Sequence, residues 1–477
     1  MADADPNLKR IVLIGGGHAH LQVIKAFNAN VRPKNWQVTL IDQSNLACYS
    51  GMIPGCISNQ YTKDEAQVSL DALAKWAKID FHRDKMVGID ADTQRVFLES
   101  DCKCDDKTSS SSWIEYDVLS LDIGSASRGL DTPGVSEFAI PTRPIDLLVD
   151  RIQWASEQVK MGEEVKVVVV GGGAAGIELA LGMMGRFEKL TLVNELQVTI
   201  LDSGLELLPY ESDACRSALV DVLKARSVQV KFGCRVTRID DEYILLDDGR
   251  KIAYTHCIWA AGASAHALSK EIQMAGISVD GNGWIEVGST LQSVSHCNIF
   301  AAGDCATITG LKDAKSGNER ASPPKAGVYA VRSGPLLIKN ISRYFLEQEM
   351  DEYDPQDDFL KLINCGDGTA LGFRFGLPLR GKWVWELKDT IDQMFMDLFR
   401  EDNLPDLSKE DIEREYASAQ YDEYKRGSKR PSPEEGCQLI LRGDENVDFQ
   451  HAWGVLREMM SDEEYKNEVL AFANKQL

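Results

Sequence analysis

The sequence predicts an α/β protein with two parallel-sheet units and a smaller α+β unit behind them. Three observations predict it. Two apolar strands, Ile11-Val12-Leu13-Ile14 and Val167-Val168-Val169-Val170, each run straight into a glycine-rich turn. Each turn is followed by a helix-like run and then by a second apolar strand that ends in an acid, Asp42 or Asp202. From about Phe359 onward the pattern changes to short strands and one amphipathic helix. Strands apolar on both faces suit a parallel sheet covered by helices on both sides.

The first turn reads Gly15-Gly16-Gly17-His18-Ala19-His20 and the second Gly171-Gly172-Gly173-Ala174-Ala175-Gly176. Glycine lets a backbone approach a pyrophosphate, and the next helix offers free N–H groups and the positive end of its dipole. The acids Asp42 and Asp202 lie at the distance beyond each turn where a carboxylate meets an adenosine ribose. Both units are therefore Rossmann-like. One such turn is weak evidence. Two in one chain point to two dinucleotides, one able to pass electrons to the other.

The remaining elements follow in order. Leu21 to Phe27 has Leu21, Ile24 and Phe27 on one helical face. Met184 to Gln197 lengthens the second unit as helix and loop, and the serine-rich stretch from Asp101 to Ser112 reads as a surface loop. Two further buried strands end at glycine: Asp117 to Ser125 with Gly124, and Cys257 to Gly262. A third, Asn298 to Ala302, ends in Gly303-Asp304. Pro323-Pro324 opens a helix over Lys325 to Ile341. Phe359–Ile363 and Ala370–Phe375 read as strands. Trp383 to Phe399 reads as a helix with Leu387, Ile391, Met394, Phe395 and Leu398 on one face. Lys425 to Gly436 reads as a linker, and Trp453 to Phe472 as a helix. The expected divisions are 8–155, 156–290, 291–345, 346–400 and an acidic extension at 401–477.

Composition sets limits. At 477 residues and 44% apolar content the chain can bury large cores. A net charge of −22 disfavours nucleic acid, because phosphate binding needs basic surface. No apolar run is long enough for a transmembrane helix. Met1 to Pro6 is acidic, without a signal-like apolar stretch, so a cytoplasmic location is expected, with peripheral membrane contact left open. Eleven cysteines lack zinc-like spacing, so no metal is expected; free thiols are the expectation. Cys48 and Cys56 are too widely separated for a helical redox pair.

These residues together resemble the two-dinucleotide-fold flavoproteins, the pyridine nucleotide-disulfide oxidoreductase-like family. Within it the chain resembles type II NADH dehydrogenases and the flavoprotein domain fused to selenophosphate synthetase. The motifs carrying this are the Gly15 turn, Tyr49-Ser50-Gly51-Met52-Ile53-Pro54-Gly55, Leu121-Asp122-Ile123-Gly124-Ser125, the Gly171 turn, Ala301-Ala302-Gly303-Asp304, Pro324 to Arg332, and Trp383 to Asp389.

The resemblance implies FAD at the first turn, held by Gly15, Gly17, His18, Ala19 and Asp42, with Gly124, Gly303, Asp304, Lys325 and Ala326. It also implies that 291–345 returns to the first unit. His20 stands where the family has its third glycine. The helix after Pro324 would point its positive end at the flavin N1–O2 edge, aided by Lys325. NAD(H) would take the second turn through Gly171, Gly173, Gly176, Asp202 and Gly262, and the Asp202 carboxylate favours NADH over NADPH. Glu178, Lys325 and Tyr49 are the candidate catalytic groups. The implied activity is hydride transfer from NADH to FAD, then electron delivery to a quinone-like or other diffusible acceptor. Two alternatives stay open: sulfide or selenium chemistry through Cys305 and Cys365, or a non-catalytic NADH-responsive switch using the tail. The Trp383 helix either seats the protein on a membrane or packs against the chain itself or a second copy in a homodimer.

Overall fold

The computed structural model describes residues 7–100, 113–159, 163–188, 196–313, 316–404, 431–442 and 449–476. The Asp101–Ser112 loop, residues 189–195 of the second-unit connection and residues 425–430 of the linker lie outside them.

The first five-stranded sheet is all parallel. Its order is Ile299–Ala301, Val118–Leu121, Lys9–Ile14, Trp36–Asp42, Asp80–Arg83. The second repeats the plan: Ile140–Pro141, His256–Trp259, Val165–Val170, Leu196–Leu201, Val228–Lys231. Each unit carries a three-stranded antiparallel side sheet, Met86–Asp90 to Trp113–Glu115 in the first and Val236–Ile239 to Lys251–Ala253 in the second. Strand Ile299–Ala301 lies far along the chain yet pairs with Val118–Leu121, so the first unit is discontinuous.

The first-turn helix is His18–Ala26 and the second-turn helix Ala174–Glu188. The helix behind Pro323-Pro324 runs Gly327–Phe345, starting two residues later than the sequence suggests because Lys325 and Ala326 stay outside it. The C-terminal sheet has three antiparallel strands, Lys361–Asn364, Ala370–Arg374 and Leu377–Gly381. Pro378 hides the third in the sequence, and it is an edge strand, where a missing N–H is tolerated.

Helix Lys382–Asp397 is buried on two sides. Phe395 and Met396 join the main core, whereas Trp383, Val384 and Leu387 pack with Cys437, Ile440, Val455 and Tyr465 of the tail. Trp383 is 2% exposed, so it offers nothing to a membrane surface. The chain's own extension covers it. Trp385 is partly buried against the Tyr61 ring, 5.5 Å away, while Met394 is exposed despite its place on the expected apolar face. The linker and tail also differ from expectation. Helix Pro433–Arg442 begins inside the predicted linker, and the single tail helix is two, Phe449–Ser461 and Glu463–Gln476. Among the described residues no helix is long and apolar enough to cross a membrane.

Candidate functional site

The two glycine turns share one backbone plan. Gly15 (φ +89) and Gly171 (φ +117) adopt a conformation that side chains rarely tolerate. A Cβ there would lie 2.4 Å from the Asp122 carbonyl oxygen and 2.2 Å from that of Ala260, so neither backbone can yield. The strand-end acids match as well. Asp42 accepts from the N–H of Gly16 (2.6 Å) and Ser44 (2.8 Å). Asp202 accepts from Gly172 (2.7 Å) and Gly204 (2.5 Å). Each carboxylate is thereby locked beside its own turn.

The turns differ in what surrounds them. A Cβ on Gly176 would lie 2.0 Å from the Gly171 carbonyl oxygen, the close helix–strand approach that a third glycine permits. At the matching place His20 is fully buried, and its Nδ1 lies 2.6 Å from the Gly15 carbonyl. A carbonyl only accepts, so Nδ1 carries the proton and Nε2 accepts from Ser120 Oγ at 2.8 Å. Ser120 stands at the register position that Ile258 holds in the second unit. Burial pushes His20 down to about 4, and the neutral ring is a structural strut. Asp122 is the second difference. Its carboxylate accepts from the N–H groups of Ala19 (2.9 Å) and His20 (3.1 Å). Its counterpart Ala260 has no such group, and Gly173, Ala174 and Ala175 at the second turn are exposed.

Around the first turn, burial lowers His18 to about 4, against the pull of Asp304. Its ring packs 5.4 Å from Tyr49 and 5.8 Å from Phe395, and Tyr49 stacks on Phe395 at 4.7 Å. The buried His18 Nε2 has no hydrogen-bond partner among the described residues. Asp304 accepts from Ser125 Oγ (2.9 Å) and pairs with Arg143 (3.3 Å). Gly124, Gly262 and Gly303 all have positive φ at strand ends around the turns. Ala326 is the extended N-cap of helix Gly327–Phe345 and supplies no side-chain cap. Lys325 donates to the Ala306 carbonyl and lies 4.5 Å over the Trp284 ring, and burial lowers its pKa. A small cleft with room of about 30 Å³ lies between Gly303–Asp304 and Ser322–Ala326, lined also by Tyr329 and Tyr353.

Glu178 lies one turn into the second-turn helix. It accepts from the Asn364 N–H at 2.9 Å, and burial pushes it up to about 7, opposed by Lys388 and Asn364. Its side chain is only partly covered by the surrounding residues. Lys388 and Asp392 are each 4% exposed. Lys388 Nζ donates to Asp392 Oδ2 (2.7 Å) and to the Gly51 carbonyl (2.6 Å). Burial works against the ammonium charge, but Asp392 and Glu178 outweigh it and raise Lys388. Tyr49 hydrogen-bonds Asp392. Thus Glu178 and Tyr49, distant in sequence, meet at one ion cluster.

Sequence reasoning gave roles to Glu178 and Tyr49 but none to Asp122, Lys388, Asp392 or Asn364. The available signals were an acid closing an apolar strand beside a turn, and a Lys–Asp pair four apart on a helix. Cys305 and Cys365 are not brought together as a reactive pair. Each is buried, each is pushed up to about 12 by burial, and each donates to backbone carbonyls. All nine described cysteines are free thiols, Cys48 and Cys56 among them.

Curated relatives match most of the chain. A type II NADH:quinone oxidoreductase of Haemophilus influenzae is 25% identical over 413 residues, covering 79% of this chain and 91% of the relative. That of Staphylococcus aureus (strain NCTC 8325) is 21% identical over 400 residues, covering 80% and 94%. Among solved structures, NDH2 of Plasmodium falciparum in complex with NADH aligns with TM-score 0.69 at 15% identity, over 87% of this chain and 98% of that one. The sulfide:quinone oxidoreductase of Aquifex aeolicus aligns with TM-score 0.67 at 17% identity, over 87% and 96%. Residues 9–332, spanning both turns and the Gly303-Asp304 element, match the pyridine nucleotide-disulphide oxidoreductase family, and the chain belongs to it.

Proposed function

We propose that this protein is an FAD-dependent NADH oxidoreductase that delivers electrons to a quinone. The observation that carries the reading is the pair of glycine turns, built on one backbone plan and on two sheets of the same strand order. The relatives named as type II NADH:quinone oxidoreductases are covered nearly end to end, which supports the same activity here.

The residues fit the two coenzymes. Gly15 and Gly17 bring backbone close to a pyrophosphate, with Ala19 behind them in the first helical turn, and Asp42 is held where it can accept from an adenosine ribose diol. Gly124, Gly303 and Asp304 form the strand ends beside that turn. His18 offers an unpartnered buried nitrogen there. The uncapped helix start at Ala326, with Lys325 next to it, supplies positive potential for the anionic edge of a reduced flavin. Gly171, Gly173, Gly176 and Gly262 offer NADH an exposed helix N-terminus, and Asp202 disfavours an added 2′-phosphate.

When bound, FAD supplies the two-electron relay between NADH and the acceptor. The chain's own groups orient, exclude water and hold protons. Tyr49, His18 and Phe395 form an aromatic wall at the first turn. Glu178, poised near neutrality, holds a proton of the kind that quinone reduction consumes, while Lys388 and Asp392 fix the local charge. A lipid-soluble acceptor implies peripheral membrane contact, through a face other than the one bearing Trp383. The buried, high-pKa thiols Cys305 and Cys365 argue against sulfur chemistry.

Adding NADH to the purified yellow protein without oxygen tests the reading. The flavin absorbance should bleach and then return on adding a soluble quinone. Colour unchanged by NADH, or a reduced flavin that quinones leave reduced, refutes it.

A further inference from the structure

Beside the first turn lies an acid that a pyrophosphate-binding turn does not need. Asp122 closes the strand beside the turn and points its carboxylate at the start of helix His18–Ala26, accepting from Ala19 and His20 N–H. It is also wedged into the passage between the turn and the Gly303-Asp304 element. A Cβ on Gly17 would lie 2.3 Å from this carboxyl group, and one on Gly303 2.5 Å from its Oδ1. The second turn has Ala260 at this place, and its helix start is open. So the helix end that would favour a coenzyme pyrophosphate already carries an internal acid.

Two anions at one buried helix end repel strongly, and Asp122 is 3% exposed. We propose that Asp122 holds the first-turn helix as a carboxylate in the cofactor-free protein and takes up one proton from solvent when FAD binds, remaining neutral while the turn is occupied. It is a positioning residue for the cofactor, and the inference rests on the reading that FAD occupies the first turn.

The surroundings agree. Burial pushes Asp122 up to about 7, partly offset by the two N–H groups, and Asp304 and Asp42 push the same way as burial. Cys305 is a neutral thiol held up near 12, and His18 and His20 are kept neutral by burial. The nearby cation Lys325 is engaged by Ala306 and Trp284. A dianionic pyrophosphate raises Asp122 further, so binding draws in a proton wherever the free carboxyl is ionised. FAD affinity is then flat below about pH 7. Above it, affinity weakens about tenfold per pH unit, the slope for one linked proton.

The test dilutes the FAD-loaded full-length protein at pH 6 to 9 and reads released flavin by fluorescence. Wild-type Kd should climb about tenfold per unit above about pH 7. Asp122→Asn keeps an oxygen for the two N–H groups but cannot ionise, so its Kd should stay level across the range. Calorimetry of wild-type FAD rebinding at pH 8, in buffers of different ionisation enthalpy, should count about one proton taken up. If D122N does not fold, that count decides alone. A flat wild-type profile, no proton uptake, or an undiminished slope in folded D122N overturns the inference. No FAD binding at any pH sinks the underlying reading instead.

Discussion

Replacing Lys388 by Met should unbalance the ion cluster it forms with Asp392 and Glu178, both of whose charges it balances. Lys388 Nζ holds Asp392 at 2.7 Å and the Gly51 carbonyl at 2.6 Å, with both charged side chains almost sealed from water. At that separation and an effective dielectric of about 20 the gross attraction is roughly 6 kcal/mol, most of it offset by desolvation of the two ions. Methionine fills the space of the lysine stem but leaves Asp392 buried with Glu178 and no cation. Breaking a buried pair in this way costs about 3–5 kcal/mol. At roughly 2 °C per kcal/mol for a unit of this size, the thermal midpoint should fall by about 6–10 °C. The loss has a pH signature. Without the ammonium, Asp392 is raised further in the folded state than in the unfolded one. Stability is then retained where Asp392 is protonated and falls as pH rises. The deficit should therefore be smaller at pH 5.5 than at pH 8. Lys388→Met with Asp392→Asn removes both charges and should recover much of the midpoint. The assay is thermal unfolding of the FAD-loaded proteins at one scan rate and two pH values. A K388M midpoint within about 1–2 °C of wild type, or a double variant no better than the single, refutes the charge argument.

Three further outcomes are expected. Glu178→Gln should keep NADH-driven flavin bleaching but slow quinone-dependent reoxidation by at least about a hundredfold. It should also erase a fall in wild-type turnover as pH rises through about 7, the value to which burial lifts this carboxyl. Gly176→Ala should lose NADH binding with FAD retained, because the added Cβ meets the Gly171 carbonyl at 2.0 Å; titration of flavin reduction against NADH reads this directly. Trp383→Ala should cost about 3–5 kcal/mol at the tail interface and free residues 431–476 for early proteolysis, while turnover of the intact chain changes little.

The fold was legible because its signals are local. A β-branched apolar run, a glycine turn and an acid about twenty residues on are consecutive features, and they located both sheets and both turns, whereas the return through Gly303-Asp304 was expected from the family resemblance. The third strand of the C-terminal sheet was hidden by Pro378, and the start of helix Pro433–Arg442 by linker-like composition. The site was legible only where it is built from backbone. Glu178 and Tyr49 stood out through the family motifs they resemble. That they share Lys388 and Asp392 depends on three elements folding together: the Tyr49–Gly51 segment, the second-turn helix and helix Lys382–Asp397. No spacing rule reports such a meeting. Trp383 shows the limit from the other side. An amphipathic helix with indoles at one end suits a membrane interface and an intrachain core equally well, and only the position of the tail decides between them.

The contrast between the turns bears on how the two coenzymes are used. Both have the same strand order, the same strained first glycine and the same locked acid, so the difference lies in the filling. At the first, Asp122, His20 and Ser120 tie the helix start to the neighbouring strand by four hydrogen bonds, counting the Gly15 carbonyl. At the second, Ala260, Gly176 and Ile258 make none with their side chains, and Gly173 to Ala175 are exposed. A turn braced from inside keeps its shape when its ligand is absent, but it has less free positive potential to offer an incoming anion. An open turn offers bare N–H groups and releases its ligand without repacking. On the proposed assignment of the turns, those side chains predict fast release of NADH from the second turn and slow release of FAD from the first. Off-rates in one preparation would rank the two, and an NADH off-rate slower than that of FAD would contradict the assignment of the turns.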